Sequence, residues 1–302
     1  MTPLFYLTLF LAASFLMIWR LEAMAAQGME GTVLGTLIMP YCTGMGNLIF
    51  AFLMGAKGSS GAEVMTNCLV NNVTNFTLLV GLPVAIWGMQ KRTEVDRRAI
   101  VGTLIAALVF TGVSWLAAWR GRISFAGGIL LAASFLVWQG WHAVAAARSK
   151  AGRGTRYAAL VAIDLALLLA GSYALYLSTD WLATWVLKIK TGFVSARYLG
   201  WLSGWLDVLP NAALAIYYGW KRQPEVVYTS QLGDGHICIP LCLGIFALYR
   251  PLDPGPLVYT GMAILLGAVV VHLVFIGFLG WLPRFAGWLL VAAYGYFLWA
   301  GL

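Results

Sequence analysis

Residues 41–83 read YCTGMGNLIFAFLMGAKGSSGAEVMTNCLVNNVTNFTLLVGLP. Two apolar runs flank a short loop, Lys57 to Gly61, and each run carries polar residues that do not suit hydrocarbon. The first holds Thr43, Gly44, Gly46 and Asn47. The second holds Asn67, Asn71, Asn72, Thr74, Asn75 and Thr77. An amide at membrane depth has no water to satisfy it, so it costs free energy unless it faces a partner, a cavity or a ligand. The helical period sets Asn67, Asn71 and Asn75 on one face, at i, i+4 and i+8. The stretch reads as half of an ion- or solute-binding site.

The composition around it gives the solvent. The chain has 302 residues, 61% hydrophobic and 10% charged, with a mean hydropathy of +0.84. Soluble domains carry roughly 25% charged residues. This is the composition of an all-α, multi-pass membrane protein whose first partner is the lipid bilayer. The first apolar run, Pro3 to Ile18, lacks a basic n-region and a cleavage site, so it reads as the first span. The net charge of +8 does not call for nucleic acid, because Lys and Arg fall in the connecting loops as the positive-inside rule expects. Cys42, Cys68, Cys238 and Cys242 all lie in predicted spans, with no CxxC, and read as small buried side chains rather than disulfides or metal ligands. With three histidines, no HExxH, no GxSxG and no phosphate-loop fingerprint, an enzyme is not expected.

A span needs about 20 mainly apolar residues. Ten are predicted, at 3–19, 33–55, 63–89, 99–118, 124–146, 157–179, 196–219, 225–249, 257–279 and 282–301. The stretch TDWLATWVLKIKTG ends the sixth span and turns at the interface. With the N-terminus outside, inner loops hold twelve basic residues and outer loops seven. That bias favours both termini outside, in an inner or plasma membrane. The basic linker 148–156 is cytoplasmic in this arrangement and divides two five-span halves, 1–147 and 157–302.

An odd number of spans per half turns the second half upside down, which predicts an inverted repeat with a midplane site. The spacing agrees. Asn47 is followed by Gly55 at +8 and Lys57 at +10; Asn211 is followed by Gly219 at +8 and Lys221 at +10. Each half then runs into LLVG or LCLG, ending at Gly81 and Gly244, +34 and +33 from its asparagine. Gly44 and Gly46 precede Asn47, and Pro210 precedes Asn211. Such residues interrupt the helical ladder and free carbonyls for cations.

These two stretches, 42–83 and 206–244, resemble the α-repeats of the sodium/calcium exchanger (cation/calcium antiporter) superfamily, approximately GTSLPE…KGNPDIALGNVVGSNIFN…LG. CTGMGN (Cys42 to Asn47) and LDVLPN (Leu206 to Asn211) line up with GTSLPE. TNCLVNNVTN (Thr66 to Asn75) and TSQLGDGHIC (Thr229 to Cys238) line up with GNVVGSNIFN. The resemblance implies a secondary active transporter with an exchanger-like fold. Spans two, three, seven and eight would form a core, and spans one and six a sliding pair. It implies no cofactor; small cations, Na+, K+, H+ or Ca2+, would be the cargo.

The departures bear on the ion. The family's acidic residue at the end of GTSLPE is Asn47 in one half and Asn211 in the other. Positions on the partner helices correspond to Asn71 and Asn75, and to Asp234 and Cys238, while Asp207 replaces a threonine. The resemblance therefore implies a site of Thr43, Asn47, Asn71, Asn75, Asp207, Asn211, Asp234 and Cys238, with its charge in the second half. Two amides leave a divalent ion uncompensated in low dielectric. Altered ion choice is expected. The alternatives are an exchanger-fold protein without exchange, or a transporter of a small organic solute.

Other polar residues leave two readings each. Asp164 lines the pathway or pairs with a basic group such as Arg156. Asp180 ends the sixth span at the interface. His142 and His272 carry protons or bond a neighbouring helix, and His236 lies two residues from Asp234. Glu63 attracts cations or favours a helix N-terminus.

Overall fold

The computed structural model describes residues 2–26, 44–89, 94–149, 158–221, 231–233 and 235–302. Thr43 and Asp234, the linker residues 150–156 and most of the predicted first part of span two lie outside the described residues. Ten helices are described: α1 (Pro3–Ala26), α2 (Met45–Lys57), α3 (Ala62–Trp87), α4 (Glu94–Ala118), α5 (Phe125–Ser149), α6 (Ala158–Leu187), α7 (Leu199–Trp220), α8 (Gln231–Tyr249), α9 (Leu257–Leu279) and α10 (Arg284–Gly301). Five of them, α1, α3, α4, α8 and α9, are long and apolar enough to cross a membrane.

Polarity runs the opposite way from a soluble domain. Leu116, Leu169, Trp220, Phe278 and Trp299 are 72–82% exposed, whereas Asn47, Asn67, Asn71 and Asn75 are completely buried. Apolar side chains on the outside and amides on the inside are the distribution that lipid imposes.

The helices pack in a set of pairs: α1 with α6, α4 with α9, α3 with α7, α2 with α8, α3 with α10, and α5 with α8. Exchanging each helix for the one five places along maps this set onto itself. Close approach within it depends on glycine. A Cβ on Gly81 of α3 would lie 2.8 Å from the Gly287 carbonyl oxygen of α10, and one on Gly244 of α8 would lie 3.0 Å from the Gly128 carbonyl oxygen of α5. Neither position has room for a side chain, so backbones meet directly.

Two helices are irregular at matching places. Residues Thr74–Leu79 of α3 and Ile237–Cys242 of α8 are π-helical, displaced from each other by 163 residues. The same displacement separates Thr66 from Thr229 and Gly81 from Gly244. In α8 the irregularity includes a break at Ile239 (φ −126°, ψ 108°) ahead of Pro240.

The apolar interior has two main parts. One large cluster draws on α2 to α10. A smaller one, Phe10, Ala13, Met17, Leu168 and Leu175, joins α1 to α6, with Met45, Ile49 and Leu206 packed against it. There Gly171 lies so near Met17 that an added Cβ would sit 2.8 Å from its Cγ. Arg20 and Asp164 close the same pair with an ion pair at 3.3 Å.

The connections gather at two ends. At one, Lys57 pairs with Asp180 at 2.7 Å, Arg250 donates to the Gly58 carbonyl, Asp253 N–H donates to the Ser60 carbonyl, and Ile123 bridges Leu252. At the other, Arg284 donates to the Trp87 carbonyl at 3.5 Å and Gly219 abuts Trp87. The loops assigned outside thus share one end, and those assigned inside share the other.

Several expectations change. Asp180 does not end its span, because α6 continues for two more turns to Leu187. Asp164 is paired with Arg20 rather than Arg156, since α1 lies against α6. α2 begins at Met45, with Gly44 as its N-cap, so Asn47 lies in a first turn rather than mid-helix. α7 runs unbroken through Pro210, which removes only the donor for the Leu206 carbonyl.

Candidate functional site

The polar faces of α3 and α7 meet. Ser203, Asp207 and Asn211 recur at i, i+4 and i+8 along α7, the same spacing as Asn67, Asn71 and Asn75 along α3. Asn67 Nδ2 donates to Asp207 Oδ2 at 2.9 Å and to Ser203 Oγ at 3.0 Å. Gly200 and Gly204 permit this approach, because a Cβ on Gly204 would lie 2.9 Å from the Asn67 carbonyl oxygen. Asp207 is 6% exposed. A carboxylate there is desolvated and keeps its charge only through donors or a cation.

α2 brings the first repeat to the same carboxylate. Gly46 stands against Asp207, and a methyl group in its place would collide with Asp207 Oδ1. Gly46, Asp207, Pro210 and Asn211 share a cavity of about 10 Å³ with Phe10, Ser14, Ile18 and Leu175. That is about the room a single water needs. The next residue, Asn47, has both Nδ2 and Oδ1 buried with no hydrogen-bond partner among the described residues. Buried amides are nearly always bonded, so Asn47 is a polar group in want of a ligand. It sits in the first turn of α2, beside unsatisfied backbone N–H groups.

The remaining predicted residues are placed as follows. Asn75 Nδ2 donates to Asn71 Oδ1 at 2.9 Å, along α3. Thr74 and Thr77 donate back to the carbonyls of Val70 and Val73 and so face their own helix. Cys238 lies in the π-helical part of α8 and hydrogen-bonds with Cys242, which in turn reaches Cys68. All three thiols are free and buried, as expected of small interior side chains. Asn72 Nδ2 donates to the Gly235 carbonyl at 3.0 Å, tying α3 to α8. The structure thus brings together Asp207, Asn211 and the α2 start that carries Asn47. It places Asn71, Asn75 and Cys238 on the helices packed around them.

Ser203 and Asn67 join the site although Ser203 was not among the expected residues. Its signal was present, four residues before Asp207 on one helix face. Gln231, at the start of α8, donates to the Asn211 carbonyl at 3.5 Å. His236 and His272 are held elsewhere. His236 Nε2 lies 3.0 Å from the Thr103 carbonyl oxygen among Phe110 and Trp138, and His272 Nε2 lies 2.8 Å from the Phe76 carbonyl oxygen. The latter satisfies a carbonyl in the π-helical turn of α3.

Among the described residues no group of three or more His, Cys, Asp or Glu side chains is arranged to hold a metal ion. The ligand set is therefore one described carboxylate with amide, hydroxyl and backbone oxygens.

Comparison with known proteins gives two findings. Residues 2–141 match the family model of the sodium/calcium exchanger protein. The whole fold matches crystal structures of the sodium-calcium exchanger NCX_Mj. With crystals soaked in 2.5 mM Na+ and 10 mM Sr2+, the TM-score is 0.72 at 17% identity, over 99% of this chain and 97% of that one. With crystals soaked in 10 mM Na+ without Ca2+, the TM-score is 0.71 at 17% identity over the same shares. A comparison of the sequence with curated proteins gave no match. In sequence, residues 2–141 are thus similar to the sodium/calcium exchanger protein family, and in fold the chain over nearly its whole length is similar to a sodium-calcium exchanger.

Proposed function

We propose that the protein is a secondary active transporter that exchanges small cations by alternating access, with its ion choice moved away from calcium. The observation that carries this reading is the buried Asp207. It is held by Asn67 and faced by Gly46, while the two positions that are acidic in the exchanger motif are Asn47 and Asn211. An amide oxygen coordinates a cation but adds no charge. One carboxylate offsets a monovalent ion; a divalent ion at the same place keeps an uncompensated charge in low dielectric. Asp234 and Thr43 complete the proposed site, together with Asn71, Asn75 and Cys238. Na+, K+ and H+ are the cargo the site suits, and Ca2+ is the one it disfavours.

The two halves, 1–147 and 157–302, act as inverted five-helix repeats joined by the basic linker 148–156. Three observations support this: the pairing of helices that survives a shift by five, the π-helical segments 163 residues apart, and the glycine contacts at Gly81 and Gly244. The α1–α6 pair, with its own apolar cluster and ion pair, is the moving part. Ten spans would put both termini on one side of the membrane, and the bias of basic residues favours the outside.

The amides at both signature positions also favour a second reading, an exchanger-fold protein that no longer exchanges ions. Melting of the purified chain separates the two, because a bound ion stabilises the folded state by mass action. The antiporter reading expects the melting temperature to rise with Na+ or K+ concentration, and the rise to vanish in Asp207→Asn. No shift with any cation supports the second reading.

A further inference from the structure

Asp207 faces a second, much larger cavity. A space of about 350 Å³ lies between the α1–α6 pair and α2 and α7, and follows α7 from Leu199 to Asp207. That is about 12 Å of helix rise. Its walls are Leu7, Phe10, Phe50, Leu182, Val186 and Leu202 among other apolar residues, and its polar groups are Thr179, Ser203 and Asp207. A hydrated ion entering such a space would lose water to walls that offer no oxygen in return. A pocket of this size, mostly apolar with a few polar groups at one end, is instead the usual form of an organic ligand site.

We infer that this cavity binds an amphiphilic organic cation, with its ammonium head on the Asp207 carboxylate and its tail along Leu7, Phe10 and Leu202. Charge complementarity selects the head: an ammonium donates to the carboxylate and to Ser203 Oγ, whereas an alkanol brings no charge and a carboxylate repels. The volume limits the tail. At roughly 30 Å³ per small group, the share of a water molecule in the liquid, about a dozen non-hydrogen atoms fill it. Because the cavity lies between the moving pair and the core, its occupant wedges the two apart or travels with the site. The inference rests on Asp207 as the charge of the proposed cation site and names an organic ligand for it.

The test uses the full chain in detergent and 4-phenylbutylammonium, with 4-phenylbutanol and 4-phenylbutyrate as isosteric controls. The ammonium is expected to raise the melting temperature saturably and the controls not to. Along a series of shorter alkylammonium ions, apparent affinity should rise about fourfold for each added methylene. Leu202→Trp and Leu7→Trp fill the cavity while leaving Asp207 in place, and should weaken binding at least tenfold. Equal shifts with the alcohol, or no dependence on tail length in the unaltered chain, overturn the inference, as does full binding by a folded Leu202→Trp variant. Ammonium binding without inorganic ion flux upholds the inference and removes the antiporter reading. Ion flux without ammonium binding does the reverse.

Discussion

In the proposed site, Asn47 and Asn211 are the residues that set which ion is held. Each replaces an acid of the exchanger motif with a group of the same shape and no charge. On that reading the site carries two fewer negative charges than the motif, at corresponding positions of the two halves. Restoring them is therefore the informative substitution. The paired change Asn47→Asp and Asn211→Asp should create calcium-dependent stabilisation that the unaltered chain lacks, read as a melting temperature that rises with Ca2+. Without the ion the variant should melt lower, since new carboxylates are buried with too few donors. Much of this was legible from residues alone. The i, i+4, i+8 face of Asn67, Asn71 and Asn75 and the acid at Asp207 were visible. What was not visible was the partner of each. Asn67 reaches Ser203 and Asp207 across helices 136 and 140 residues apart in sequence, and no local pattern specifies that contact. Asp164 was open between two roles for the same reason.

At the scale of elements, the pairs of helices are set by where side chains are missing. Gly81 against Gly287 and Gly128 against Gly244 let backbones touch, and both contacts lie beside an irregular helix. Gly81→Leu and Gly244→Leu should each destabilise the fold by about 1–3 kcal/mol through overpacking. Gly102→Leu and Gly267→Leu, whose Cβ positions have nothing within 4 Å, should leave the melting temperature almost unchanged. The α1–α6 pair has a different fastening. Arg20→Ala leaves Asp164, with a side chain 3% exposed, as a buried charge without its partner. The expected loss is about 3–5 kcal/mol, and the double change with Asp164→Asn should recover most of it, as thermal melting of the two variants against the unaltered chain can show. Helix positions were readable because apolar runs of spanning length leave little choice in a membrane. Their exact ends were not. α6 gained two turns past Asp180, and α2 starts at Gly44, because capping and turn geometry depend on neighbours rather than on hydropathy.

For the whole molecule, the account joins a fold shared with a sodium-calcium exchanger to a site whose charge lies in the second half. The small α1–α6 cluster and the large cluster that draws on α2 to α10 meet along the cavity that leads to Asp207. Displacement of one against the other would open Asp207 to each end in turn, and one occupant must leave before another enters. The +8 and +10 spacing shared by the two halves, on which the proposed repeat rests, was visible in the sequence. The break at Ile239 was not, because only Pro240 marks it and Pro83 and Pro210 lie in helices that continue. The most direct test is cation flux in proteoliposomes under imposed Na+, K+, H+ and Ca2+ gradients. The account predicts that a Na+ or K+ gradient drives counterflow of a second monovalent cation or protons, that Asp207→Asn abolishes it, and that Ca2+ is not taken up. Calcium uptake driven by a Na+ gradient, or no flux under any combination of gradients, would contradict it.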